Sequence, residues 1–191
     1  MALFQKKPQT SSSAPLYTLG LQRTVLIVGL GNIGKEYDKT RHNAGFMCVD
    51  SFVASQSEFG NWTDKKDLKC QLTSATLGNN RIIAIKPTTL MNNSGEAVQE
   101  ACHFYKIPAQ NVLVIHDELD LPFGTIRTSN GGGSAGHNGV MSVIAHITPL
   151  FNRVRIGIGN ERSAGQDSAN FVLAKFNTDE AGHMDALLHL Y

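Results

Sequence analysis

Residues 25–28 read VLIV, a short unbroken apolar run rich in β-branched side chains and followed at once by glycines. That pattern predicts a strand over 24–28, covered on both faces. In residues 44–55 the pattern changes. Phe46, Val49, Phe52 and Val53 fall at helical spacing, which predicts an amphipathic helix. Two strand-like runs, 69–77 and 81–86, flank Gly78, Asn79 and Asn80, a combination that signals a hairpin. Helical spacing returns over 94–105, with Ser94 expected at the N-cap and Pro108 punctuating the connection beyond. Further strands are predicted at 111–115, 124–128 and 153–158, the last running into Gly157 and Gly159. A helix is predicted at 138–147. After a polar loop, a final helix is expected from Thr178, with Met184, Leu187, Leu188 and Tyr191 on one face.

Strands and helices therefore alternate, with one hairpin interrupting the order. The expected class is α/β: a single domain over 24–191, with a mixed, mostly parallel twisted sheet sandwiched between helices. Residues 1–23 differ in kind. They hold Lys6, Lys7, Arg23, three consecutive serines and two prolines, with no acidic residue. With only one arginine and no clear amphipathic period, they read as a disordered extension rather than an organellar targeting peptide.

Composition narrows the partners. Seventeen basic residues against sixteen acidic ones leave almost no net field, so a nucleic acid must be gripped at a local patch. Cys48, Cys70 and Cys102 form no C-x-x-C pair, which argues against a disulfide framework or structural zinc and for reduced, packed thiols. No apolar run approaches the roughly 18 residues of a membrane-spanning helix. A cytoplasmic protein is expected.

Residues 28–34, VGLGNIG, carry the spacing of a dinucleotide-binding loop. That chemistry requires a helix to begin directly after the third glycine, so that the pyrophosphate sits on its N-terminus. Here the following residues, KEYDKTRHN, have no apolar helical period, and the helix starts only near Ala44. Asp50 has the spacing of a ribose-binding acid but falls inside that helix. The nucleotide reading fails, and no cofactor is expected.

Four polar clusters remain, each at the end of a predicted strand, where open α/β sheets build their sites. They are Asn32 with Tyr37 and 40–43 (TRHN); 91–93 (MNN); 116–120 (HDELD); and 131–139 (GGGSAGHNG). Histidines, carboxylates and asparagine amides together suit a histidine-activated water acting on a carbonyl substrate. No serine or cysteine sits in a nucleophile elbow. His42, His116, Asp117 and His137 show no ligand spacing on one helix, so no metal site is expected. His116, directly after a core strand, reads as a packed histidine.

At these same clusters the sequence resembles the bacterial-type peptidyl-tRNA hydrolase family. The matching segments are VGLGNIG at 28–34, Tyr37, TRHNAG at 40–45, PTTLMN at 87–92 with Ser94 and Gly95, HDELDLP at 116–122, GHNG at 136–139 and RIGIG at 155–159. They occur in family order across residues 25 to 176. The resemblance implies hydrolysis of the ester that joins a peptide to the 3′ end of tRNA, recycling tRNA from aborted translation. It implies His42 as the base, Asp117 as its holder, and Asn32 as the residue that checks acylation. Tyr37, Leu90, Met91, Asn92, His137 and Asn138 are implied in binding the peptide and terminal adenosine, and Arg155 in facing a tRNA phosphate.

The match departs from the family pattern at several positions. Ile33 stands where a proline is usual, Leu90 where an aromatic is common, and Ser129 where a basic residue often precedes the glycine-rich loop. Arg127 is the expected substitute for that contact, and Arg41 is a further candidate to meet a phosphate. The final helix is expected to stop early, at Tyr191. A non-catalytic, RNA-binding relative of the same fold is the alternative reading, and retention of His42, Asp117, Asn32, Asn92 and Asn138 favours the enzyme.

Overall fold

In this computed structural model, residues 23–160 and 167–188 are described. Most of the expected N-terminal extension lies outside them, as does Tyr191. Seven strands run β1 (Arg23–Gly29), β2 (Thr63–Lys65), β3 (Cys70–Leu77), β4 (Asn80–Pro87), β5 (Val112–Pro122), β6 (Ile126–Asn130) and β7 (Asn152–Gly159). Five helices accompany them: α1 (Ala44–Ser55), α2 (Ser94–Tyr105), α3 (Asn138–Ile147), α4 (Ser168–Leu173) and α5 (Thr178–Leu188). The sheet order is β2-β3-β4-β1-β5-β7-β6. β4, β1, β5 and β7 are parallel, while both flanks are antiparallel. Parallel order thus belongs to the centre, where both faces are covered.

The β1 pattern explains the layering. Leu26 and Val28 point into a core with Ile83, Ile85, Val112 and Val114, closed by Val98 and Ala101 of α2 and Val140 and Val143 of α3. Ile27 points the other way, toward Ile115, Ile156, Val49 and Val53 of α1 and Met184 of α5. A strand covered on both faces cannot alternate apolar with polar, hence the continuous run in the sequence. α2 and α3 approach closely because Gly95 has no side chain: a Cβ there would meet the Ser142 carbonyl. The three cysteines are free, and burial pushes Cys48 and Cys102 up to about 11 and Cys70 up to about 12.

The limits of α1, α2 and α3 agree with the periodicity, but other details differ. Ser94 is not the N-cap of α2. Asn93 occupies that position without a side-chain bond, and Ser94 Oγ instead donates back to the Met91 carbonyl at 2.9 Å. The sixth strand is displaced by two residues, to Ile126–Asn130, because register with β7 decides it: Ile126 pairs with Ile156 and Asn130 with Asn152. β2 and α4 were not expected. β2 is three exposed residues that exist only by pairing with β3. The fifth strand does not stop at Ile115. It continues through Pro122 because β7 pairs with it beyond the apolar run, His116 opposite Arg155 and Asp117 opposite Ile156.

Candidate active site

The parallel strands end along one edge, and the polar clusters collect there. Gly45, at the start of α1, lets the helix sit directly on the strand ends, since a Cβ would collide with the Ile115 carbonyl and the Leu30 backbone. That contact carries the preceding single 3-10 turn, Arg41–Asn43, into the edge. His42 is therefore a buried residue of a tight turn and not part of an open polar loop. Asn43 clamps the turn to the end of β1: its Oδ1 accepts from the Asn32 N–H at 2.8 Å, and its Nδ2 donates to the Asn32 carbonyl at 3.0 Å. The Asn32 side chain reaches on to the second cluster, with Oδ1 accepting from the Met91 N–H at 2.7 Å. Three segments distant in sequence are fixed by two asparagines.

From β5, Asp117 meets this assembly. His42 Nδ1 lies 3.0 Å from each Asp117 carboxylate oxygen, and His137 Nε2 lies 2.9 Å from Oδ1. Burial alone would raise the Asp117 carboxyl, but the charge and N–H bonds of His137 and His42 outweigh it and hold the group well below the usual carboxylate range. His116 is buried, as expected of a packed histidine, with its ring edge-on to that of His137 at 4.9 Å between centres. Burial pushes it down to about 3, and its Nδ1 donates to the Asp117 carbonyl at 2.6 Å.

Two clefts open beside His42. The larger, about 490 Å³, is lined by Asn32, Tyr37, His42, Leu90, Met91, Asn92 and Asn138, with Ala169, Val172 and Leu173 of α4 as its wall. The smaller, about 190 Å³, is lined by His42, Asp117, Glu118, His137 and Asn138, with Ser168, Ala169 and Val172 of α4. Leu90 is half exposed and holds φ at +59°, a conformation unusual for a side chain of its bulk. Leu90 and the exposed Leu173 give the larger cleft an apolar rim.

Nine of the ten residues singled out from the sequence thus meet at one edge. Arg155 lines neither cleft. Its Nε is 3.1 Å from Glu118 Oε2, so it adjoins the smaller cleft through a lining carboxylate. Exposed Arg127 lies directly across from it in the β6–β7 register. Arg41 is not available to a phosphate. It is buried, its Nη2 is 2.6 Å from Glu180 Oε2, and its Nη1 donates to the carbonyls of Phe171, Ala174 and Lys175. The guanidinium also lies 4.4 Å from the centre of the Phe171 ring.

The α4 wall and the Arg41 network were missed because 167–177 looked like a polar loop. One local signal was present: Asp167 precedes the apolar FVL run, and its carboxylate accepts from the Ala169 N–H at 3.2 Å, capping the helix. Among the described residues, His42, Asp117 and His137 offer one metal-ligand atom each within 4.8 Å of one another. As they stand, both histidines are within hydrogen-bond distance of the Asp117 carboxylate. No helix among the described residues is long and apolar enough to cross a membrane.

An α/β domain that sets a buried His–Asp pair beside an amide-lined cleft, at the carboxyl ends of its parallel strands, has the make-up of a hydrolytic enzyme. The profile of the family described as peptidyl-tRNA hydrolase matches residues 26–191. The chain is 44% identical to a peptidyl-tRNA hydrolase of Aliarcobacter butzleri over 85% of each protein. It is 42% identical to one of Clostridium botulinum over 85% of this chain and 84% of that one. The crystal structure of peptidyl-tRNA hydrolase from Acinetobacter baumannii superposes with a TM-score of 0.79 at 36% identity, covering 86% of this chain and 83% of that chain. The chain belongs to the peptidyl-tRNA hydrolase family.

Proposed function

We propose that this chain hydrolyses the ester between peptide and tRNA in peptidyl-tRNA, in the cytoplasm and as a monomer, with His42 as the base that activates water. The observation that carries the reading is the direction of the His42 ring. Its Nδ1 is spent on Asp117, which leaves Nε2 for the clefts that His42 lines. A water held there gives its proton to Nε2 and attacks the ester carbonyl. The imidazolium then returns a proton to the departing 3′ ribose oxygen. Asp117 keeps the proton on Nδ1 and stabilises the imidazolium between the two steps. Amides of Asn32, Asn92 and Asn138 are placed to bind the peptide backbone and the developing oxyanion without selecting a side chain. Arg155 and Arg127 form the local basic patch for phosphate, which the near-zero net charge requires. The direct test is release of the N-acetyl-amino acid and free tRNA from N-acetyl-aminoacyl-tRNA: absence of release by the folded protein overturns the assignment.

Asp117→Asn is expected to slow hydrolysis by about 10²-fold, toward the lower end for lost acid–base assistance. A carboxylate favours the imidazolium, so its neutral replacement should carry the acidic limb of the pH–rate profile to lower pH. A limb that stays in place makes Asp117 a structural residue.

Asn32 concerns the choice of substrate. Peptidyl-tRNA presents a neutral amide at the α-nitrogen, whereas much aminoacyl-tRNA presents a charged amine. A buried amide side chain accepts the first and leaves the second unpaired, which is costly. Asn32→Asp supplies a carboxylate to the amine and still accepts from the Met91 N–H. The ratio of kcat/KM for blocked over free aminoacyl-tRNA is therefore expected to narrow, and an unchanged ratio removes Asn32 from discrimination.

A further inference from the structure

We propose that His137 is a positioning residue for the His42–Asp117 pair, and that one ring sets both the catalytic carboxylate and the start of α3. The inference rests on the reading of His42 as the base, and it moves His137 from the substrate-binding role that the resemblance implied.

The tautomer follows from the partners. His137 is the N-cap of α3, and its Nδ1 accepts from the Val140 N–H at 3.3 Å. A backbone N–H only donates, so Nδ1 carries the lone pair and the ring proton is on Nε2. That proton is aimed at Asp117 Oδ1, 2.9 Å away. Helix caps are ordinarily short polar side chains. A histidine has the length to cap the helix with one nitrogen and reach a carboxylate with the other. Its side chain is only 6% exposed, which leaves little of it for substrate.

Asp117 consequently serves two imidazoles. The His42 and His137 rings stand 4.8 Å apart, and each has an N–H on the same carboxylate. A hydrogen bond from His137 disperses the carboxylate charge and weakens its hold on a His42 imidazolium. Among the described residues, the other ionisable groups around the carboxylate are already engaged. His116 is pushed down to about 3 by burial, its Nδ1 is on the Asp117 carbonyl, and its ring packs edge-on against His137 with Nε2 making no hydrogen bond among the described residues. Glu118 is paired with Arg155, Arg153 binds the carbonyls of Gly132 and Gly133, and Arg41 beside His42 is paired with Glu180. From α4 only Ser168, Ala169 and Val172 face this side, and none is charged. Among the described residues, His137 is the ionisable side chain other than His42 whose ring nitrogen is hydrogen-bonded to this carboxylate.

The test compares wild type, His137→Phe and His137→Gln in the release assay across pH, with His42→Ala as a control. Phe fills the ring's space but has neither N–H nor lone pair. It should lower kcat by about 10- to 100-fold through misplacement of Asp117, with KM little changed. It should also move the acidic limb to higher pH, opposite to Asp117→Asn. Gln offers a donor at similar reach and should return the limb toward wild type. A raised KM with kcat and limb in place makes His137 a substrate contact and overturns the proposal. Equal losses in both variants with the limb in place mean a structural role alone, and overturn it too. Should the Phe variant not fold, two-bond proton–nitrogen NMR of the wild type decides: a His137 proton on Nδ1 instead of Nε2 contradicts the shared-ring arrangement. Because NMR reads the ring without turnover, full activity in His42→Ala would sink the base assignment separately from this one.

Discussion

Replacing His42 with alanine is expected to lower the rate of peptidyl-tRNA hydrolysis by about 10² to 10⁴, the range for losing a general base. The loss should appear in kcat, because the amides and leucines that line the larger cleft remain. Some destabilisation is also expected, since His42 is buried and Asp117 loses one of its two imidazole donors. His137 still holds the carboxylate, so the variant should fold, and circular dichroism with thermal melting separates the two effects. Activity within tenfold of wild type in a well-folded variant would remove His42 from the chemistry.

Arg41→Ala is expected to cost about 3 kcal/mol or more in folding stability, the usual result of breaking a buried ion pair from one side. The Arg41 and Glu180 side chains are 6% and 8% exposed, too little for water to replace the lost partner. The remaining bonds of Glu180, to Asn160 Nδ2 and the Asn177 N–H, keep the loss from growing further. Activity should fall as well. Arg41 precedes His42 and binds three carbonyls at the end of α4 and just beyond, so one guanidinium holds the cleft wall against the His42 turn. Urea unfolding measures the first effect and kcat/KM at a temperature well below melting the second. An unchanged unfolding midpoint would mean that the network contributes nothing net. Arg41→Lys should recover only part of either, because a single ammonium cannot reproduce the fork of contacts.

Arg41 also marks the boundary of what was legible. Its neighbours His42 and Asn43 stood out in a polar cluster, and an arginine there invited a phosphate role. Its real partner, Glu180, is 139 positions along the chain. Nothing local distinguishes a buried arginine with such a partner from an exposed one. Asn43 was likewise noticed without its task, because the clamp on Asn32 exists only once β1 and the turn of His42 are side by side.

The periodic segments were readable because their pattern states the cause of their structure. The apolar stripes of α1, α2 and α3 and the unbroken apolar run of β1 record which surfaces leave water, and burial of those surfaces makes the elements. The same holds for the gathering of asparagines, histidines and carboxylates at strand ends, since the order of strands and helices dictates which ends share an edge. The sequence by itself therefore determined the α/β class, the main elements and which polar residues gather at the site's edge. Only the tertiary structure decided that β5 runs on through Asp117, that α4 closes both clefts, that Arg41 is a brace, and that His137 shares a carboxylate with His42. Each of these depends on hydrogen bonds between groups far apart in the chain, whose direction and exclusion from water exist only after the layers have packed.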